Sequence, residues 1–408
     1  MQRLTGFRRE LTPTWLHLAS VLGGHRPPDV RHSFRYAHLG CGAGITTGVV
    51  AAVHPAAEVW AWDHRSGKVE AARRLRDAAH LANLTVYERP GLPQDLGGDV
   101  IDVLVIEDIL VSADDELRRQ VFAAAAHSVR PGGLVCISYK TTVGWVEIEP
   151  LLHVMRHVAA QHRGSADEAV LHVLEFLDLL RRGGARHLTE RPWVARWLSE
   201  LSTMEAARIH DEYLADVTRS MSHPQVAASM RAVGCQFIGS ARLSDALGID
   251  MPPDIKDLLG TAANSPLHEA YRDLATRPTG RVDLFRHGDA PLSPLELSTS
   301  LQRMTLFAVD RPRAGGEPPI DDAMWNDLCA GIPADRLTTD ELRILADAGV
   351  LHPRSVSAEP VSGVDLERFR RALDSLVGDT IMVLSSLGTA VESGAGQMPA
   401  HLGELELR

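Results

Sequence analysis

Two hydrophobic rhythms alternate along the first third of the chain. Short, nearly continuous apolar runs at 34–39, 59–62, 84–87, 100–106 and 134–139 read as buried strands. Between them, 45–53, 66–81 and 114–129 repeat apolar positions three or four apart and predict helices. In the second of these, Val69, Ala72 and Leu75 share one face and the arginines take the other. Strand and helix alternating over 34–145 predict a doubly wound α/β sheet with parallel strands and crossover helices. Residues 11–22 carry helical spacing up to Gly23-Gly24 and predict a helix laid across the edge of that sheet.

The rhythm changes downstream. Segments 151–160, 166–180 and 193–204 read as helices, and the strand signal fades near residue 150. Residues 206–290 are mixed, with a helix at 224–232 stopped by Gly234 and a short strand at 235–238. The stretch DRPRAGGEPP at 310–319 reads as a linker. Beyond it, Thr338 and Glu341 have capping-box spacing, a short strand is expected at 350–351, and 365–387 forms an amphipathic stripe. The expected organisation is an α/β domain over 1–150, a mixed α+β middle domain over 151–310, and a small, mostly helical, winged-helix-like module over 320–392. Seven acids against two arginines at 320–351 give a net charge of −5, which favours docking against the chain itself or a second copy over DNA binding.

Composition narrows the partners. The 408 residues are 45% hydrophobic and 23% charged, in the range of ordinary globular proteins. No apolar run reaches the ~18–20 residues of a membrane span. The N-terminal arginines are not followed by the apolar core of a secretory signal. A net charge of −11 argues against a general nucleic-acid binder. The four cysteines form no C-x-x-C pair, which argues against a zinc site and fits reduced thiols in a cytoplasm. No metal, membrane or nucleic acid is therefore expected, and a second copy of the chain is left open.

The chemistry gathers behind the first strand. Gly40, Gly42 and Gly44 make a turn that lets a ligand approach the backbone, ahead of the free N–H groups of a helix. Asp63 ends the second strand, 23 positions after Gly40, where a carboxylate suits a ribose diol. A turn that merely permits close packing is the competing interpretation. The sequence G-C-G-A-G lacks the further G-x-x-G of a pyrophosphate site. An adenosyl ligand without pyrophosphate, S-adenosylmethionine, fits better.

Several stretches resemble class I S-adenosylmethionine-dependent methyltransferases of the branch with a methyltransferase regulatory domain. That branch includes bacterial protein lysine methyltransferases acting on outer-membrane proteins. Residues 11–16 (LTPTWL) are similar to its lead-in helix and 38–44 (HLGCGAG) to its glycine motif. Residues 138–145 (SYKTTVGW) are similar to its S-Y-N-T-x-P-G-W. Residues 211–214 (DEYL) resemble the opening of the regulatory domain, and 279–287 (TGRVDLFRH) its last strand. The resemblance implies a Rossmann-like methyltransferase sheet and transfer of a methyl group to a protein or peptide lysine. A small-molecule or natural-product methyltransferase and a degenerate scaffold are the alternatives.

Carried onto this chain, the resemblance implies cofactor contacts at His38, Gly40, Cys41, Gly42, Gly44, Asp63, His64, Gly91, Leu92 and Glu107. Two positions depart from it. His38 stands where the family keeps an acid for the ligand's amino group, and Pro90 or Gly91 where it keeps one near the adenine. The family's His-Gly-x-Tyr-Ser-Trp stretch is replaced from Glu107 onward. Glu107 and Asp108 are expected to orient the acceptor and take its proton, the alternative being a strand-end pair that caps the next helix. Tyr139 and Trp145 are expected to wall its channel, with buried packing the alternative for Trp145. His210 and Tyr213 are further candidates to reach the site from the second domain.

Overall fold

The computed structural model describes residues 7–87, 100–112, 115–214, 219–242, 253–261 and 267–308, with short stretches and isolated positions between and beyond them as far as 354. One sheet holds β1 (Arg35–Leu39), β2 (Glu58–Trp62), β3 (Leu84–Val86), β4 (Ile101–Glu107), β5 (Val129–Lys140), β6 (Cys235–Ser240) and β7 (Gly280–His287). The order is β3-β2-β1-β4-β5-β7-β6. Strands β1 to β5 pair in parallel, and β7 lies antiparallel between β5 and β6. The apolar runs at β1, β4 and β5 are buried on both faces, as a sheet covered on two sides requires.

Helices α1 (Pro13–Leu22), α2 (Ile45–Val53) and α3 (Ser66–Ala79) cover one face. On the other lie α4 (Ile109–Ser112), α5 (Asp115–Ser128) and the helix His223–Ala232. Helix α1 does lie across the sheet, and its Trp15 indole donates to the Ala241 carbonyl at 2.6 Å. The Tyr36 hydroxyl donates to the carbonyl of Leu11 at 3.0 Å and ties β1 to the residues that precede α1.

The sheet does not close at residue 150. Strands β6 and β7 complete it, with Tyr139 of β5 opposite Arg281 and Ile137 opposite Asp283. What begins near 150 is a helical layer: Glu149–Gln161, Ala166–Arg182, Arg186–Thr189 and Pro192–Leu201. Its core is separate, built from residues such as Ile148, Leu152, Met155, Val173 and Val194. Ser165 and Glu168 close a capping box that fixes the start of its longest helix.

Further on, Thr305–Ala308, Ile332–Pro333 and Leu351–Arg354 form a small antiparallel sheet. The linker at 310–319 and the helices expected at 341–349 and 365–387 lie outside the described residues. Among the described residues, no helix is long and apolar enough to cross a membrane, and no group of three or more metal-ligating side chains gathers.

Candidate active site

Parallel register carries the ends of β1, β2, β4 and β5 to one edge of the sheet. Leu39 lies opposite Trp62 and Ile106, and Glu107 opposite Ser138. Open α/β sheets bind ligands at this edge. The chain leaves β1 through a turn in which Gly40, Gly42 and Gly44 all have positive φ, at 84°, 57° and 78°. The amides of Gly40 and Cys41 donate to the Trp62 carbonyl at 2.7 and 3.1 Å, which locks the turn onto β2. Burial pushes the Cys41 thiol well above its usual value, so it stays protonated.

Two of these glycines have different duties. A Cβ on Gly40 would collide with the carbonyl oxygen of Glu107, whereas a Cβ on Gly42 would meet nothing within 4 Å. The space beside Gly42 is therefore a cradle a ligand can enter. Gly40→Ala is expected to unfold the site, and Gly42→Ala to fold with a penalty of about 1–2 kcal/mol for its left-handed backbone. Thermal melting and ligand titration check this: both variants should lose cofactor binding, but only Gly40→Ala should lose its cooperative melt.

Asp63 follows directly on β2, almost fully buried, and its carboxylate buttresses the turn. Its Oδ2 accepts from the Gly42 amide at 2.9 Å. Its Oδ1 accepts from the Arg65 amide at 2.9 Å and from Arg65 Nε at 3.1 Å, while Arg65 Nη2 reaches Oδ2 at 3.3 Å. Burial alone would raise its pKa, but the hydrogen bonds and charge of Arg65 outweigh that and hold the carboxyl below its usual value. The four donors fill the carboxylate's acceptor sites. A ribose diol reaches Asp63 only if the half-exposed Arg65 side chain swings aside. His64 Nδ1 stands 3.6 Å from Asp63 Oδ1, beside the ring of Trp62.

His38 is fully buried behind the turn. Its Nδ1 is 3.1 Å from the Thr47 hydroxyl of α2, and Nε2 is 2.9 Å from Glu107 Oε2, close but off the line of a good hydrogen bond. Glu107 Oε1 accepts from Arg8 Nη1 at 3.1 Å, and Arg8 Nε donates to Glu10 at 2.7 Å. Burial would raise the Glu10 carboxyl, but Arg8 outweighs it and the pKa falls. The Arg8 amide donates to Thr46 at 2.9 Å, which pins the N-terminal segment over α2. A carboxylate does stand beside position 38, supplied by Glu107 from the neighbouring strand.

Beyond Glu107, Asp108 has φ +53°, unusual for a residue with a side chain. It is exposed, and its Oδ1 accepts from the Ser138 hydroxyl at 2.6 Å. Tyr139 does not wall the channel as expected. It faces the opposite side of β5, where its hydroxyl donates to the buried Asp283 at 2.5 Å. Trp145 does stand at the strand-end edge, its indole N–H on the Thr279 carbonyl at 2.6 Å. Tyr213 comes alongside it from a π-helical turn, ring centroids 6.2 Å apart. Gly91 and Leu92, with Pro90, lie outside the described residues. Arg8, Thr47, Arg65 and Lys140 were not singled out from the sequence.

Three comparisons bear on this arrangement. Residues 206–287 match the family model "predicted methyltransferase regulatory domain". This segment is similar to a methyltransferase regulatory domain. The match ends at His287, the last residue of β7, so the matched segment supplies the two strands that complete the sheet. An uncharacterised protein of Synechocystis sp. is 24% identical over 351 residues, covering 83% of this chain and 69% of that one. The fold is similar to that of PKMT2 from Rickettsia typhi, with a TM-score of 0.61 at 19% identity, covering 77% of this chain and 60% of that one. PKMT2 in complex with AdoHcy gives 0.63 at 16% identity, with coverage of 84% and 70%. The sheet is therefore a Rossmann-like sheet of the methyltransferase type, completed by strands from the segment that matches the regulatory-domain model.

Proposed function

We propose that the chain is an S-adenosylmethionine-dependent methyltransferase acting on the side-chain amine of a lysine in a protein or peptide. The observation that carries this is the strand-end edge itself. An open cradle at Gly42, a carboxylate at Glu107 and an aromatic pair at Trp145 and Tyr213 stand together there. The fold likeness to PKMT2 with AdoHcy supports the choice of cofactor and of acceptor.

The residues fit such a cofactor. The turn at 40–44 and the N-terminal amides of α2 would receive its main body, Glu107 would face its amino group, and Asp63 its ribose diol. When bound, the cofactor supplies an electrophilic methyl group on sulfonium. The protein's part is mainly to position the acceptor in line. A lysine must also lose its proton before it can act as a nucleophile, and Asp108 is exposed at the same edge to take it. His38 and Arg8 hold Glu107 from two sides and keep its carboxylate fixed in the site.

Calorimetry with S-adenosylmethionine and its demethylated product tests the reading. Saturable binding of both is expected, and absence of binding would leave only the scaffold alternative. Asp63→Ala is expected to lower affinity by about tenfold or more if Asp63 holds the ribose. Unchanged affinity would confine Asp63 to buttressing the turn. Labelled-methyl transfer into lysate protein, rather than into small-molecule fractions, is the expected result for the acceptor class.

A further inference from the structure

Only three of the chain's 42 basic residues are lysines: Lys68, Lys140 and Lys256. Lys140 has the most unusual surroundings. It ends β5, two residues after Ser138, at the edge of the sheet that holds Gly42, Glu107 and Asp108. Its ammonium nitrogen lies 4.0 Å from the centroid of the Trp145 ring and 5.4 Å from that of Tyr213. Among the described residues, no carboxylate comes within ion-pairing distance of it.

Both rings are held before any cation arrives. Trp145 is anchored through its indole N–H to Thr279. Tyr213 packs edge-on against Trp197, centroids 5.6 Å apart at 82°. Trp145 and Tyr213 are 8% and 7% exposed, so their faces are shielded from water and cation–π attraction is strong. Glycine at 144 is part of the construction, because a Cβ there would run into the carbonyl of Pro278. At all but two of its other basic positions the chain carries arginine. Here it keeps the compact ammonium that two converging rings accommodate better than a planar guanidinium.

We propose that Trp145 and Tyr213 form an alkylammonium-binding site that Lys140 occupies in cis, standing in for the lysine side chain of a second polypeptide. The stand-in role rests on the methyltransferase reading above, whereas the binding site does not. Burial lowers the pKa of Lys140 against the pull of Asp108 and Glu212, so its charge is given up more easily than that of an exposed lysine. An incoming lysine has to displace it. Free amines in solution are thereby kept out, and a lysine presented on a bound polypeptide gains entry.

The probe is tetramethylammonium chloride, titrated into the full chain by calorimetry with sodium chloride as the blank. Lys140→Ala should bind it about tenfold or more tightly than the unaltered chain, and adding Tyr213→Leu should abolish the gain. Equal binding by the unaltered chain and Lys140→Ala, or a gain that survives Tyr213→Leu, would overturn the proposal. A melting curve checks that the variants fold. If they do not, the unaltered chain can be reductively methylated with ¹³C-formaldehyde, since only three lysines and the terminal amine give signals. The Lys140 dimethylamine should resonate upfield of the others through the ring currents, and tetramethylammonium should move it back towards them. A signal coincident with those of Lys68 and Lys256 would reject the site. None of these measurements uses the cofactor, so their failure and the failure of S-adenosylmethionine binding are separate results.

Discussion

Replacing Glu107 by alanine is expected to weaken S-adenosylmethionine binding by about tenfold to a hundredfold while leaving a folded sheet. A hydrogen bond to a charged group contributes about 1.5–3 kcal/mol, and the factor follows from that range. Glu107 lies at the strand-end edge and its side chain is partly exposed, so truncation leaves no large void. His38 would lose its carboxylate partner, while Arg8 would keep Glu10. Glu107→Gln separates charge from shape, and should lose most of the affinity with little change in melting temperature. The exchange variant His38→Glu with Glu107→His is the sharper test. It returns the acid to β1 and places the imidazole on β4, and binding within about threefold of the unaltered chain is expected if the pair is interchangeable. Calorimetry reads all three. Full affinity in Glu107→Ala would remove the carboxylate from the cofactor site.

Much of this site was legible in the sequence because it is local. The turn at 40–44 follows a strand directly, and Asp63 ends the next one, so periodicity and spacing suffice to bring them together. Trp145 also lies within a few residues of a strand end. What sequence reasoning lost was long-range or a matter of facing. Strand β7 pairs with β5 across more than a hundred intervening residues, and nothing in its own sequence names its neighbour. The middle domain was therefore expected to stand apart from the sheet that it completes.

The error at Tyr139 is of another kind. Successive strand residues face opposite ways. Ser138 and Lys140 share one side of β5, with Ser138 bonded to Asp108 and Lys140 against Trp145. Tyr139 must then turn to the other side, and the alternation alone could have said so. Arg8 left no such signal. It precedes the first long helix in an irregular stretch, and only the fold carries it to Glu107.

The second large effect is expected at the far side of β5, where Asp283 is fully buried. Its Oδ2 accepts from the Tyr139 hydroxyl at 2.5 Å and lies 2.9 Å from His223 Nδ1. Its Oδ1 accepts from Arg281 Nε at 2.8 Å, and Arg281 also binds Asp273 and Glu269, each at 2.5 Å. Burial would raise the Asp283 carboxyl, but Arg281, His223 and Tyr139 outweigh it and bring it down to about 2. Removing one member of a buried charged cluster leaves the others unpaired at a cost of about 3–5 kcal/mol. Asp283→Ala should therefore destabilise the sheet by that amount, read as a lowered denaturant midpoint. The carboxyl titrates lower in the folded chain than in the unfolded one, so its stabilisation is present above about pH 4. It should fade as the pH falls from there towards 2. Asp273 works in the opposite sense, since burial raises its pKa despite Arg281. Its contribution favours the folded chain at low pH and weakens as the pH rises, which blunts the acid transition without reversing it. In Asp283→Ala the fall in stability between pH 4 and 2 should be shallower than in the unaltered chain. An unchanged slope would mean that other carboxylates govern acid unfolding. Because Tyr139 precedes Lys140 on the same strand, loss of this anchor should also loosen the aromatic site on the opposite face. A weaker upfield shift of the Lys140 dimethylamine in Asp283→Asn would register that coupling between the regulatory strand and the strand-end edge.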